Sequence, residues 1–301
     1  MSQASGSRHS IGFIKEVTYG VTPATPVFNA LRHKTTSINL AKAIMQSEEN
    51  RGDRQIADFR HGTRSVSGNV VTELSFGSFD DILENALGGA WAANVLKAGV
   101  LRSSFTIERR FNDVNQFLRY TGVQVDSLAM PMTTGSLVDM TFGFLGQNMS
   151  TDTAIILGAT YPAAPTTAPM SALGGTVLEG GVPIGVVTDF SWNLANGLSS
   201  RFVIGTDISL EPNIARSNVT GTLVAFFETA NLYEKFISEV TSSIQVSASD
   251  GVSSYDILFP KIKFTGGDVP MAGEGSISVT MPFQALLDPV TGTNIQITRN
   301  P

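Results

Sequence analysis

Three histidines, His9, His33 and His61, are the side chains best suited to hold a metal or move a proton near neutral pH. None stands in a metal-binding spacing such as H-x3-H, so each is expected as a surface or loop residue. Adjacent carboxylates at Glu48-Glu49 and Asp80-Asp81 could share a proton or attract a cation. The first pair falls in a charged polar stretch. The second falls at an expected helix start, where acids suit the positive end of the helix dipole. Neither is assigned acid–base work. Asp250-Gly251 and Asp256 lack the D-x-D-x-D-G register of a calcium loop. Gly174-Gly175, Gly180-Gly181 and Gly185 could cradle a phosphate, but no Lys-Ser/Thr follows and no helix opens after them. There is no G-x-S-x-G elbow. The chain has no cysteine, hence no thiol nucleophile, disulfide or thiolate metal site. No catalytic, cofactor-binding or metal residue is assigned, no cofactor is implied, and no enzymatic activity is expected.

The elements must therefore carry the argument. The 301 residues allow two domains of about 150 residues, each able to bury an ordinary core. Charged residues make up only 15%, against about 25% in a typical soluble protein. Such a sparsely charged surface suits a chain largely covered by neighbours, and equally a large β-protein with Ser/Thr/Gly loops. The net charge of −6 supplies no cationic field to hold nucleic acid stably. The N-terminus lacks the apolar stretch of a signal peptide, and no apolar run approaches the ~20 residues of a membrane helix. A soluble intracellular product without membrane insertion is expected, and the sequons at Asn148 and Asn218 are taken as chance matches.

The chain echoes itself. Ser37-Ile38-Asn39-Leu40-Ala41 returns as Ser191-Trp192-Asn193-Leu194-Ala195, at an offset of 154. Ser65-Val66-Ser67-Gly68 is echoed by Asn218-Val219-Thr220-Gly221 at an offset of 153. Phe79, Ile82, Leu83, Ala86 and Leu87 form one helix face, with Ser78 as N-cap and Gly88 as the C′ residue. Leu232, Tyr233, Phe236, Ile237 and Val240 form the second stripe, with Asn231 as N-cap and Glu234 in a capping-box position. Val138, Met140 and Phe142 match Val279, Met281 and Phe283 at an offset of 141. The aromatics Phe76, Phe79, Trp91, Phe142, Trp192, Phe226, Phe227 and Phe236 are expected in the core.

The expected organisation is an N-terminal arm over 1–36, a first domain over 37–150, a linker over 151–181, a second domain over 182–285 and a C-terminal arm over 286–301. Each copy reads as strand, long loop, strand, helix and several strands. The fold is therefore mainly β with minor α: two tandem copies of a β-sandwich or partial barrel, each with one flanking helix. The charged stretch from Gln46 to Arg60 is a long exposed loop, a kind often functional.

Gly20-Val21-Thr22-Pro23, then Gly62, Val66-Ser67-Gly68, Glu73-Leu74 and Phe79-Asp80-Asp81-Ile82-Leu83, follow in an order that resembles the tail tube proteins of long-tailed, siphovirus-type bacteriophages. Ser104-Phe105-Thr106-Ile107-Glu108 and Tyr120-Thr121-Gly122 continue the likeness, which runs from about residue 10 to the end. The resemblance implies a virion structural protein whose copies of a tail-tube-type β-sandwich join into homo-oligomeric rings. Rings stack into a hollow tube, the conduit for DNA ejection. It implies other tail proteins, such as the tape measure and tail terminator, as partners. DNA is met only in transit, and assembly takes place in the host cytoplasm. Usually six single-domain subunits make a ring, so a duplicated chain is expected as a trimer with pseudo-sixfold symmetry. On this resemblance Glu48, Glu49, Arg51, Asp53, Arg54 and Asp58 are candidates for contact between rings. Glu73, Asp126, Asp139 and Asp189 are candidates to face the lumen. Other expectations kept open are a different self-assembling tail or baseplate component, and a glycan-binding β-sandwich adhesin.

Overall fold

The computed structural model describes residues 3–50, 52–271 and 274–301. In its first half, β1 (His9–Lys15), β2 (Asn29–Ala30), β3 (Thr35–Thr36), β4 (Asn39–Gln46) and β5 (Phe59–Glu73) lead into helix α1 (Asp80–Leu87). There follow β6 (Val95–Lys97), β7 (Phe105–Phe111), β8 (Gln116–Thr133), β9 (Asp139–Gly146) and β10 (Asn148–Asp152). The second half holds β11 (Val177–Glu179), β12 (Val182–Pro183), β13 (Val187–Ala195), β14 (Ser199–Arg201), β15 (Leu210–Asn213) and β16 (Asn218–Phe226) before helix α2 (Asn231–Ile237). It ends with β17 (Ser242–Ser249), β18 (Ser254–Phe264), β19 (Ser278–Ala285) and β20 (Gln296–Asn300). The fold is mainly β with minor α, as the period-2 patterning requires. No helix among the described residues is long and apolar enough to cross a membrane.

Strand pairing follows the same order in both halves. In the first, β2 pairs β1, then β7, β8, β9, β5 and β4 follow in turn. In the second, β12 pairs β11, then β17, β18, β19, β16 and β13 follow. β10 lies beside the start of β8 as β20 lies beside the start of β18. Every one of these ladders is antiparallel. The halves join where the end of β8 pairs β13, from Ser127↔Ala195 to Thr133↔Asp189.

β8 and β18 are long enough to serve two layers. Their early residues pair in one layer and their late residues in the other, and the core fills the space between. Val66, Val70, Leu128 and Phe142 face inward from one layer, and Ile11, Phe13 and Ile107 from the other. In the second half Phe190, Trp192, Phe259 and Phe283 form a contiguous aromatic cluster. Phe226 and Phe227, expected inside, are exposed. The inward phase of β16 belongs to Val219, Leu223 and Ala225, which puts Phe226 on the opposite face, and Phe227 lies past the strand end.

α1 buries Ile82, Leu83, Ala86 and Leu87, and Gly88 closes it with φ 62°. Ser78 does not cap it. Phe79 holds the cap position, and the Ser78 hydroxyl bonds Ser75 and Thr167 instead. Asn231 is likewise the first helical residue of α2 rather than its cap, and its neighbour Ala230 takes that place. No residue of α2 is fully buried, and Ile237 is exposed.

The segments expected as arms and linker lie within the fold. Residues 1–36 supply β1 and the buried Phe28 and Leu31. Within 151–181, Met170 is fully buried and bridges Leu74 and Val138 through backbone hydrogen bonds. Residues 286–301 supply β20, which joins β18 to β6. Short apolar runs broken by Gly and Pro conceal these strands, because their partners are distant in sequence.

One buried charge network ties β7, β8 and the 151–161 segment together. Glu108 is fully buried. It accepts from Arg119 Nε at 2.7 Å and from the Tyr161 hydroxyl at 2.8 Å. Arg119 also donates to Asp152 at 2.9 Å and to the Ala154 carbonyl at 2.6 Å. Removing one partner strands the other in a low-dielectric site. Arg119→Met is expected to cost about 3–5 kcal/mol in urea unfolding, and adding Glu108→Leu should recover much of the loss.

Candidate functional site

One extended feature is the outward face of one layer. The strands β4, β5, β9, β8, β13, β16, β19 and β18 lie side by side in this order. Because side chains alternate, each strand that sends an apolar residue inward sends a polar or small one outward. The outward set includes Ser67 and Asn69 of β5, Thr141 of β9, Ala129 of β8, Ser191 and Asn193 of β13, and Thr220 and Thr222 of β16. These positions are polar or small, and the charges on the face are few. A shallow hollow of about 600 Å³ opens on it over Ala129, Thr141, Ser191 and Thr222.

Three of the four acids expected at a lumen stand on this face. Glu73 is aligned with Asp139, and Lys34 bridges them at 3.8 Å and 2.9 Å. The Asp139 hydrogen bond, backed by both negative charges, raises the Lys34 ammonium above the ordinary lysine value. Asp189 is aligned with Thr133 across the β8–β13 junction. Asp126 differs. It is the extra residue of a bulge in β8, and its carboxylate accepts the Leu198 backbone N–H at 2.6 Å. Its carboxylate is committed to the turn after β13.

The face ends at two edges. β4 pairs with β5 alone in the described ladders, and β18 beyond Ile262 pairs only with β19. The Ser37 N–H points to β5, bonding the Asn69 carbonyl at 2.9 Å. Strand alternation then turns Ile38 and Leu40 to the open side. There Arg109 Nη1 holds the Ile38 carbonyl at 3.0 Å, and Asn39 Oδ1 holds the Leu40 N–H at 2.9 Å. The edge is capped by its own side chains, a device that restrains indiscriminate strand addition.

Arg109 heads a hydrogen-bonded chain that runs through two histidines. Its Nε donates to His9 Nε2 at 3.1 Å, which leaves His9 Nδ1–H to donate to His33 Nε2 at 2.9 Å. His33 Nδ1 donates to the Leu31 carbonyl at 3.2 Å. Burial first, then the Arg109 charge and His33, lower His9 to about 4. Two of the three histidines are thus a structural relay, which sequence spacing did not disclose. His61 lies on β5 with its ring edge to Phe59.

The charged loop stands at the tip of a β4–β5 hairpin whose residues are exposed from Ala41 to His61, Arg51 lying outside the described residues. Glu48, Glu49, Asp53, Arg54 and Asp58 are all exposed there. Ile44, Met45, Ile56 and Phe59 are each more than half exposed on the same hairpin. The matching β14–β15 hairpin does not stand free. Asp207 pairs with Arg64, which lowers the Asp207 carboxyl below its ordinary value. Gln147 Nε2 donates to the Ser209 carbonyl at 2.8 Å, and Arg102 meets Glu211 at 3.0 Å.

The Gly20-Val21-Thr22-Pro23 loop is held by Glu16, a buried residue the sequence did not single out. Its carboxylate accepts from Gly20 N–H, Ser104, Thr106 and Gly122 N–H at 2.6–2.9 Å. Among the described residues no cluster of three His, Cys, Asp or Glu could hold a metal.

A family model for phage tail tube proteins matches residues 6–285. No curated protein matches the chain.

The echoed glycines generate one prediction. A Cβ at Gly68 would lie 2.5 Å from the Ser37 carbonyl oxygen, and one at Gly221 2.7 Å from that of Ser191. Gly68→Ala and Gly221→Ala should each lower stability by about 1–3 kcal/mol, read as a reduced urea midpoint at unchanged m. The histidine relay generates another. The folded His9 resists protonation until about pH 4, while the unfolded side chain charges below its ordinary 6.5. Stability should therefore be full above pH 6.5 and fall as pH drops toward 4. The loss is on the order of 1 kcal/mol once solvent screening is allowed for. His9→Gln should flatten that part of the pH profile.

Proposed function

The chain belongs to the phage tail tube protein family, and on that premise we propose that it builds the tube of a siphovirus-type tail from stacked homo-oligomeric rings. As a member of that family it is a structural component of the virion tail. The observation that carries the finer proposal is the polar eight-strand face, backed by a continuous core and bounded by two open edges. A sheet with that form is completed by closure into a barrel, which leaves no edges.

The outward face becomes the wall of the channel. Its Ser, Thr and Asn side chains and few acids give DNA phosphates no cationic surface to bind, so the genome slides through in transit. Glu73, Asp139 and Asp189 stand on that wall. The chain carries two tandem copies of the tube unit. The shared pairing order, the sequence echoes at offsets 154 and 153, and the glycines packed under Ser37 and Ser191 support this duplication. Three chains then make a pseudo-sixfold ring. The exposed tip with Glu48, Glu49, Arg51, Asp53, Arg54 and Asp58 contacts the next ring. The tape measure, the tail terminator and assembly in the host cytoplasm complete the proposal.

Purified protein imaged by electron microscopy after prolonged incubation should show tubes, and their mass per ring should correspond to three chains. Six chains per ring would overturn the trimer. Deleting Arg51–Asp58 should leave a folded monomer that forms no tubes. Normal tubes from that variant would remove the loop from the contact between rings.

A further inference from the structure

The halves are joined in both layers. One connection is the β8–β13 ladder of the polar face. The other is a strap formed by residues 288–300. Its strand β20 lies between β18 of the second half and β6 of the first, with Ile297 opposite Ile257 on one side and Leu96 on the other. Ile295, Ile297 and Leu96 are all buried. The turn before β20 is tied to the first half as well. Thr293 Oγ1 accepts the Ala98 N–H at 3.1 Å, and Lys97 Nζ donates to the Thr291 carbonyl at 3.0 Å. Charge anchors the far end. The Arg299 N–H donates to the Asn94 carbonyl at 2.8 Å, and the guanidinium lies 4.7 Å over Trp91 and pairs with Asp80 at the start of α1. The other Asp80 oxygen accepts the Tyr255 hydroxyl at 2.6 Å, and that hydroxyl accepts the Gly77 N–H at 3.0 Å. One carboxylate of the first half thus holds β18 and β20 of the second, in a pair mostly withdrawn from water. The counterpart strand β10 pairs β8 alone in the described ladders. Among the described residues no strand stands between α2 and β17 as β6 stands between α1 and β7. The strap therefore belongs to the internal junction only.

We propose that this strap locks the two halves at one angle, and that assembly of the chain into rings depends on the lock. Only the second clause rests on the ring proposed above. Neighbouring strands in a sheet adopt twists from roughly −10° to −35°. A single ladder therefore leaves the halves free to hinge about it, and a second connection in the other layer removes that freedom. A ring closes only when every chain holds its two halves at the same angle. A chain locked in advance loses less conformational freedom on joining its neighbours than one that must first be ordered.

Arg299→Leu releases the anchored end of the strap. Hydrogen exchange in rising urea, read by mass spectrometry, should give the β9 and β19 amides one shared midpoint in the unaltered chain. In Arg299→Leu the two midpoints should separate by about 0.5 M. Ring formation, followed by light scattering, should fall about tenfold. Lys97 and Gln296 are cross-strand partners in a chain without cysteine. Lys97→Cys with Gln296→Cys, added to Arg299→Leu, can therefore restore the connection as a disulfide. Oxidation should rejoin the midpoints and recover ring formation, and reduction should undo both. Coincident midpoints in Arg299→Leu overturn the lock. Separate midpoints with ring formation at the unaltered rate overturn its role in assembly. If the unaltered chain forms no rings, the ring fails while the midpoints still decide the lock.

Discussion

The antiparallel pairing of Ser127–Thr133 with Asp189–Ala195 is the contact on which the architecture depends. It converts two similar sandwiches into one sheet with one polar face. Backbone groups in a sheet demand partners, and the internal junction satisfies them for β8 and β13. The same demand persists at β4 and at the end of β18. The fold thus meets one demand in two ways, by strand pairing at the junction and by side-chain caps on Ile38 and Leu40 at the β4 edge.

Around that junction, polar groups are committed to structure. Glu16 gathers four donors from three segments, Glu108 and Arg119 lock the second layer, and Asp126 fixes the turn after β13. Glu16, Glu108 and Asp126 would each pass for a functional carboxylate on residue type alone. Their full hydrogen-bond complements explain instead how a chain with so few charges holds its loops in place.

Much of this was legible in the sequence where the pattern is local. The stripe Phe79, Ile82, Leu83, Ala86 and Leu87 announces α1, and Val138, Met140 and Phe142 announce β9. The exposed loop between Gln46 and Arg60 follows from its mixed charges, and strict alternation places Glu73, Asp139 and Asp189 on one face. What depends on distant partners was not legible. β1 and β20 are strands because β7 and β18 receive them. Asp126 leaves the face because a single bulged residue breaks the alternation. The His9–His33–Arg109 relay spans one hundred residues in sequence and joins two strands and a loop in space.

The alternation that separates core from face has a consequence for how such a chain can change. Substituting an outward threonine leaves the core untouched, but inserting one residue within β8 would exchange the two sides along the rest of that strand. Insertions and deletions are therefore confined to turns. The two halves record this: their offset is 154 at β4 and β13, 153 at β5 and β16, and 141 at β9 and β19, and the large step falls between the helix and the last strand. The two halves differ in loop length and agree in the spacing within their matched strands.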